Sequence, residues 1–88
     1  MIKESRNSLY KKVGRYLTVA REHRKITVSQ LAAKAGEQFN TIQSIEEGNS
    51  FYFHQVLWMI DHLGIDITDL IKHIKEDHSG QQDINDFI

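Results

Sequence analysis

The 88-residue chain contains no cysteine and no proline. The first absence excludes disulfides and thiolate metal sites. The second suits an all-helical chain with few sharp breaks. No apolar run approaches the ~18–20 residues of a membrane span. The opening residues, MIKESRNSLYKK, carry charge but no apolar stretch of the kind a secretory signal needs, so a cytoplasmic protein is expected. No Ser/His/Asp grouping, Gly-rich phosphate loop or pair of catalytic carboxylates stands out, so neither an enzyme nor a cofactor is expected. The histidines are His23, His54, His62, His73 and His78. No two of them stand four residues apart as paired ligands on a helix would, so no metal site is expected.

The net charge of −1 also lacks the basic excess usual in nucleic-acid binders. Its distribution says more. Residues 1–36 hold nine Lys/Arg and two acids, whereas residues 37–88 hold two Lys and ten acids. Such asymmetry between halves points to an interaction surface. The basic half would face phosphates and the acidic half would face away or bind something else. Plain unevenness on solvated helices is the alternative. A chain of this size is one domain and buries only ~60–65% of its unfolded surface, so a dimer partner would help it.

Periodicity predicts five helices. Residues 1–7 read as a flexible basic arm. The first helix spans about Ser8 to Arg24, with Leu9, Val13, Tyr16, Leu17 and Ala20 as its inward stripe. Gly14 within it disfavours the helix by ~1 kcal/mol relative to Ala and marks close packing. Thr27 reads as the N-cap of a second helix ending at Ala35, with Leu31, Ala32 and Ala35 inward and Gly36 in the left-handed stop. A third runs from Gln38 to Glu46 or Glu47, with Ile42 and Ile45 inward and Gln38 a weak cap. A fourth covers about Phe53 to His62 on a stripe of Phe53, Val56, Leu57, Ile60 and Leu63, stopped at Gly64. Asp66 or Thr68 caps a fifth that carries Leu70, Ile71 and Ile74 to about Asp77. The domain is thus 8–77, and residues 78–88 read as a tail.

Two short helices joined by a glycine turn form a helix-turn-helix. From about Val13 to Ile71, two-thirds of the chain, the sequence resembles the five-helix DNA-binding domain of the phage lambda Cro/cI repressors, the XRE-type helix-turn-helix proteins. The matching residues are Arg21, Leu31-Ala32, Gly36, then Ile42, Ile45, Glu46 and Gly48, and the Leu63-Gly64 stop. The resemblance implies an all-α lambda-repressor-like fold and a dimeric, sequence-specific transcriptional regulator of double-stranded DNA, a repressor in the first instance. It also implies that Arg21 pairs with Glu46 and locks the third helix to the core. A surface pair of little energetic weight is the alternative.

In that fold the start of the third helix enters the major groove. The base-contact candidates are Gln38, Phe39, Asn40, Thr41, Gln43 and Ser44. Asn and Gln pair bidentately with adenine, and Phe39 can pack on a thymine methyl, so A·T-containing sites suit them. The alternative is a set of ordinary polar helix residues. Phosphate-contact candidates are Arg15, Lys25, Thr27, Ser29, Lys34 and Tyr52, with Lys3, Arg6, Lys11 and Lys12 if the arm reaches the backbone. The chain departs from the family at three places: Val28 where a Gln is common, Glu37 where a small, hydroxylic or aliphatic residue is usual, and the Phe51-Tyr52-Phe53 loop. They predict a weaker grip on phosphates.

Phe51, Tyr52, Phe53 and Trp58 form an aromatic cluster. Phe53 fits the core stripe and Trp58 falls outside it. Exposed Trp and Tyr are enriched at interfaces. Trp58, Leu70, Ile71, Ile74, Ile84, Phe87 and Ile88 are therefore candidates for a homodimer or partner surface, with core packing as the alternative. The rival function is an antitoxin or modulator whose main role is to hold a protein partner through the acidic C-terminal half.

Overall fold

The structure, a computed structural model, describes the backbone of residues 2–77 and the side chains of residues 8–75. Among these residues there are five helices and no strand: α1 (Ile2–His23), α2 (Val28–Ala35), α3 (Phe39–Glu46), α4 (Phe53–Leu63) and α5 (Ile67–Asp77). The chain is therefore all-α. Helix α3 packs against α1 and α2, while α4 packs against α2 and α1, and α5 lies along α1. The core is Val13, Leu17, Leu31, Ala32, Ile42, Ile45, Val56, Met59, Ile60, Leu63 and Leu70. No helix among the described residues is long and apolar enough to cross a membrane.

Helix α1 starts at Ile2, not Ser8. The segment set apart as an arm is helical backbone, because neither Pro nor Gly interrupts it before Gly14. The Lys3 and Arg6 side chains lie outside the described residues, as do Ile84, Phe87, Ile88 and the rest of the 78–88 tail. Leu9, expected in the inward stripe, stays exposed, a turn short of Val13, where the core begins.

Helix α2 begins with a reciprocal cap. The Thr27 hydroxyl accepts from the Gln30 backbone N–H at 3.0 Å, and the Gln30 side-chain oxygen accepts from the Thr27 N–H at 2.8 Å. Two otherwise unpaired donors are satisfied at once. Gly36 sits at φ 71° and ends the helix, as a left-handed cap requires.

Helix α4 differs from expectation. Its buried residues are Val56, Met59, Ile60 and Leu63, whereas Phe53 is 66% exposed and Leu57 is 36% exposed. The place expected for Phe53 is taken by Phe51, which packs on the core and meets Tyr10 edge-on at 5.1 Å. Met59 fills the inward position beside Ile60, as an unbranched and adaptable side chain can.

At the start of α5, Asp66 is the capping residue. Its carboxylate accepts from the Thr68 backbone N–H at 3.0 Å and from the Thr68 hydroxyl at 2.7 Å. The three apolar residues of α5 divide. Leu70 is buried, Ile74 is partly buried against the core, and Ile71 is exposed. Leu70 is thus spent in the core and is not open to a partner.

Candidate nucleic-acid interface

Helix α3 is held from behind at two points. The first is Gly14 on α1. A Cβ added there would lie 2.9 Å from the Glu46 carbonyl oxygen, 3.1 Å from the Gly48 nitrogen, and closer still to the Ile45 carbonyl. The two backbones therefore touch where α1 crosses the end of α3, a contact that only glycine permits. The second is Arg21. Its Nε donates to Glu46 at 2.7 Å and its Nη2 donates to the other carboxylate oxygen at 3.1 Å. Its Nη1 donates to the Ile26 carbonyl at 2.7 Å. The Arg21 and Glu46 side chains are only 11% and 7% exposed. The Glu46 hydrogen bonds raise the Arg21 pKa above its ordinary value, against the opposing effect of burial. One guanidinium on α1 thus ties together the end of α3 and the α1–α2 connection.

The outer side of α3 is free of charge until Glu46. Gln38, Phe39, Asn40 and Gln43 are exposed, while Thr41 and Ser44 are half-buried. Gln38 stands at the N-cap position in extended backbone, with no side-chain capping bond. Ser44 is committed locally: the Asn49 side-chain amide donates to its hydroxyl and to its carbonyl, each at 3.2 Å. Between α3 and the loop before α4 lies an open groove of about 440 Å³, bordered by Asn40, Thr41, Ser44, Ser50, Phe51 and Tyr52. Gln38, Phe39, Asn40 and Gln43 are therefore on the surface, Thr41 is half-buried beside them, and Ser44 braces the loop.

The phosphate-contact candidates are less concentrated. Arg15, Lys25, Thr27, Ser29 and Lys34 are all exposed. Lys25 lies in left-handed backbone at φ 56° in the α1–α2 connection, next to the Thr27 cap. Arg15 instead borders a separate groove with Lys11, Thr18, Glu46 and Glu47, beside the C-terminal end of α3. Tyr52 is 71% exposed at the mouth of the α3 groove. From Glu37 to Ile71 the chain has six acids and no Lys or Arg. The cations of the chain lie on α1, α2 and their connection, apart from Lys72 and Lys75 on α5.

Arg24 has a role that local sequence does not announce. Its Nε donates to the Leu63 carbonyl and its Nη1 to the Ala20 carbonyl, which pins the end of α4 to α1. Gln30 completes the α2 cap, and Asn49 closes the loop after α3. Among the described residues no group of three or more His, Asp or Glu side chains converges as metal ligands would.

No family model matches the chain, and no curated protein sequence matches it. Among solved structures, the fold is similar to that of the clp gene regulator ClgR from Corynebacterium glutamicum. The TM-score is 0.72 over 90% of this chain and 85% of that one, at 19% identity. The likeness establishes a shared five-helix fold.

Proposed function

We propose that the chain is a sequence-specific DNA-binding transcriptional regulator of the Cro/cI, XRE type. It works in the cytoplasm as a homodimer and represses by occupying an inverted-repeat operator. Two α3 helices would enter successive major grooves ~34 Å apart. The observation that carries the reading is the two-sided character of α3. Its back is fixed to α1 by Gly14 and by the Arg21–Glu46 fork, and its front offers uncharged amides and an aromatic ring to a groove. A helix held rigidly with such a front suits base-edge readout. The likeness to a gene regulator supports the same direction. Gln38, Phe39, Asn40, Thr41 and Gln43 would read bases, with Ser44 at the edge. Lys25, Thr27, Ser29 and Lys34 would hold phosphates, aided by the α2 N-terminal dipole, and Arg15 and Tyr52 would lie at the margins.

The test is a comparison of variants on DNA from upstream of the chain's own gene. Phe39→Ala and Asn40→Ala should each cost about 1–3 kcal/mol on the best site and alter base preference. Lys25→Ala should weaken all sequences alike and flatten the salt slope by about one. Identical behaviour of all three variants would overturn the contact assignment.

A second reading, an antitoxin or modulator that holds a protein partner, is favoured by one observation. Tyr52, Phe53 and Trp58 stand exposed on a stretch of chain with no cation.

A further inference from the structure

The first two turns of α4 carry a surface that no proposed base contact uses. Tyr52, Phe53, Leu57 and Trp58 are 71, 66, 36 and 44% exposed. His54 organises them. It stacks on Tyr52 with ring centroids 5.8 Å apart and planes 13° apart, and it meets Trp58 edge-on at 4.8 Å. The three rings hold one another in order, so little freedom is left to lose on binding. Phe53 and Leu57, four apart on the helix, form a neighbouring apolar stripe.

The patch is on the order of 500 Å², the size of the largest and often functional patch of a typical monomer, and short of the roughly 800 Å² per partner of a standard stable interface. Charge also argues against a second copy as its occupant. Asp61 follows Leu57 by one turn and is exposed, within a stretch of six acids and no Lys or Arg. A two-fold pairing would bring two Asp61 carboxylates toward each other with no Lys or Arg of this stretch to offset them. A positive partner meets both Asp61 and the electron-rich faces of Tyr52 and Trp58.

We propose that this face of α4 binds a cationic amphipathic segment of a partner protein. Its apolar side chains would sit on Phe53, Leu57 and Trp58, with Arg or Lys over the Tyr52 and Trp58 rings and against Asp61. The proposal gives the partner-holding reading a surface and a chemistry. It rests on that reading, and of the residues proposed to meet DNA it shares only Tyr52, at the margin of the phosphate contacts.

Trp58 is the sole tryptophan, so its emission reports on the patch directly. The probes are a synthetic helical peptide of Leu and Arg at amphipathic spacing and the same peptide with Glu in place of Arg. The full-length chain should bind the Arg peptide saturably, with a blue shift of Trp58 emission, and at least about ten-fold more tightly than the Glu peptide. Added salt should weaken it. Phe53→Ser, an exposed substitution, should reduce binding about ten-fold with an unchanged far-UV circular dichroism spectrum. Equal binding of both peptides would overturn the proposal. Saturable Arg-peptide binding that Phe53→Ser leaves intact would also overturn it, leaving a partner-holding function on another face. So would a Trp58 shielded from acrylamide in the free chain. Dilution would then assign the cover: to a second copy if Trp58 becomes accessible as the chain dissociates, or to the chain's own tail if it stays shielded in the monomer.

Discussion

Arg21 and Glu46 meet across the α1–α3 contact as a two-bond fork, at 2.7 and 3.1 Å, while the same guanidinium holds the Ile26 carbonyl. With side chains 11% and 7% exposed, the pair sits in the range where breaking it leaves an uncompensated charge. Glu46→Ala should cost about 3–5 kcal/mol, against ~0–1 for a surface pair. A urea-unfolding midpoint measures this. Arg21 should not titrate near neutral pH. The folded pKa of Arg21 is raised, so its contribution is full below the unfolded value and is lost only as pH rises through the folded one.

Gly14→Ala puts two rules in opposition. Helix propensity alone predicts a gain of about 1 kcal/mol. The backbone contact with Ile45 and Glu46 predicts a loss, because the new Cβ meets carbonyl oxygens that cannot move without shifting α3. The contact should win, with a net loss of about 1–3 kcal/mol in thermal or urea unfolding. A stabilised variant would contradict the close crossing.

Thr27→Ala removes the hydroxyl half of the α2 cap and should lower stability by about 1 kcal/mol. Gln30→Ala removes the reciprocal half and should have a smaller effect. In the double variant the two losses should not add, because both residues serve one motif. A double-mutant cycle by urea unfolding reads the coupling.

Asp66 supplies the pH-dependent step on the acid side. The Thr68 hydroxyl and then its backbone N–H hold the Asp66 carboxyl below its ordinary pKa. Its contribution is therefore full above the unfolded aspartate value of about 3.9 and fades as pH falls from there through the lower folded value. The stability difference between the native chain and Asp66→Asn should be constant at neutral pH and narrow below about pH 4. A difference that widens on acidification would contradict the cap.

Local signals made the helix-turn-helix legible. Thr27 at the cap, Gly36 in left-handed backbone, and Ile42 and Ile45 at helical spacing each specify their structure within a few residues. The Thr27-x-x-Gln30 pair is likewise a local pattern for a capping box. Packing decided the rest. On α4 the stripe through Phe53 and Leu57 and the one through Met59 satisfy the same period. In the fold Phe51 packs against Tyr10, Met59 is buried and Phe53 is left outside, an outcome the period alone does not choose. The Arg24 bond to Leu63 joins residues 39 apart, and no short motif encodes it. The outer face of α3 was nameable residue by residue, yet the tie between Ser44 and Asn49 depends on how the following loop folds back.

Whether α3 reads DNA is tested most directly by fluorescence anisotropy. A labelled duplex from upstream of the chain's gene, beside a shuffled duplex of the same composition, is titrated with protein at two or more salt concentrations. The proposed function predicts tighter binding to the upstream duplex at each concentration, by about 10³-fold or more at a true operator, with log affinity falling linearly against log salt. The slope should be shallow, because no Lys or Arg lies between Glu37 and Ile71. Equal affinity for both duplexes across the salt series would contradict it.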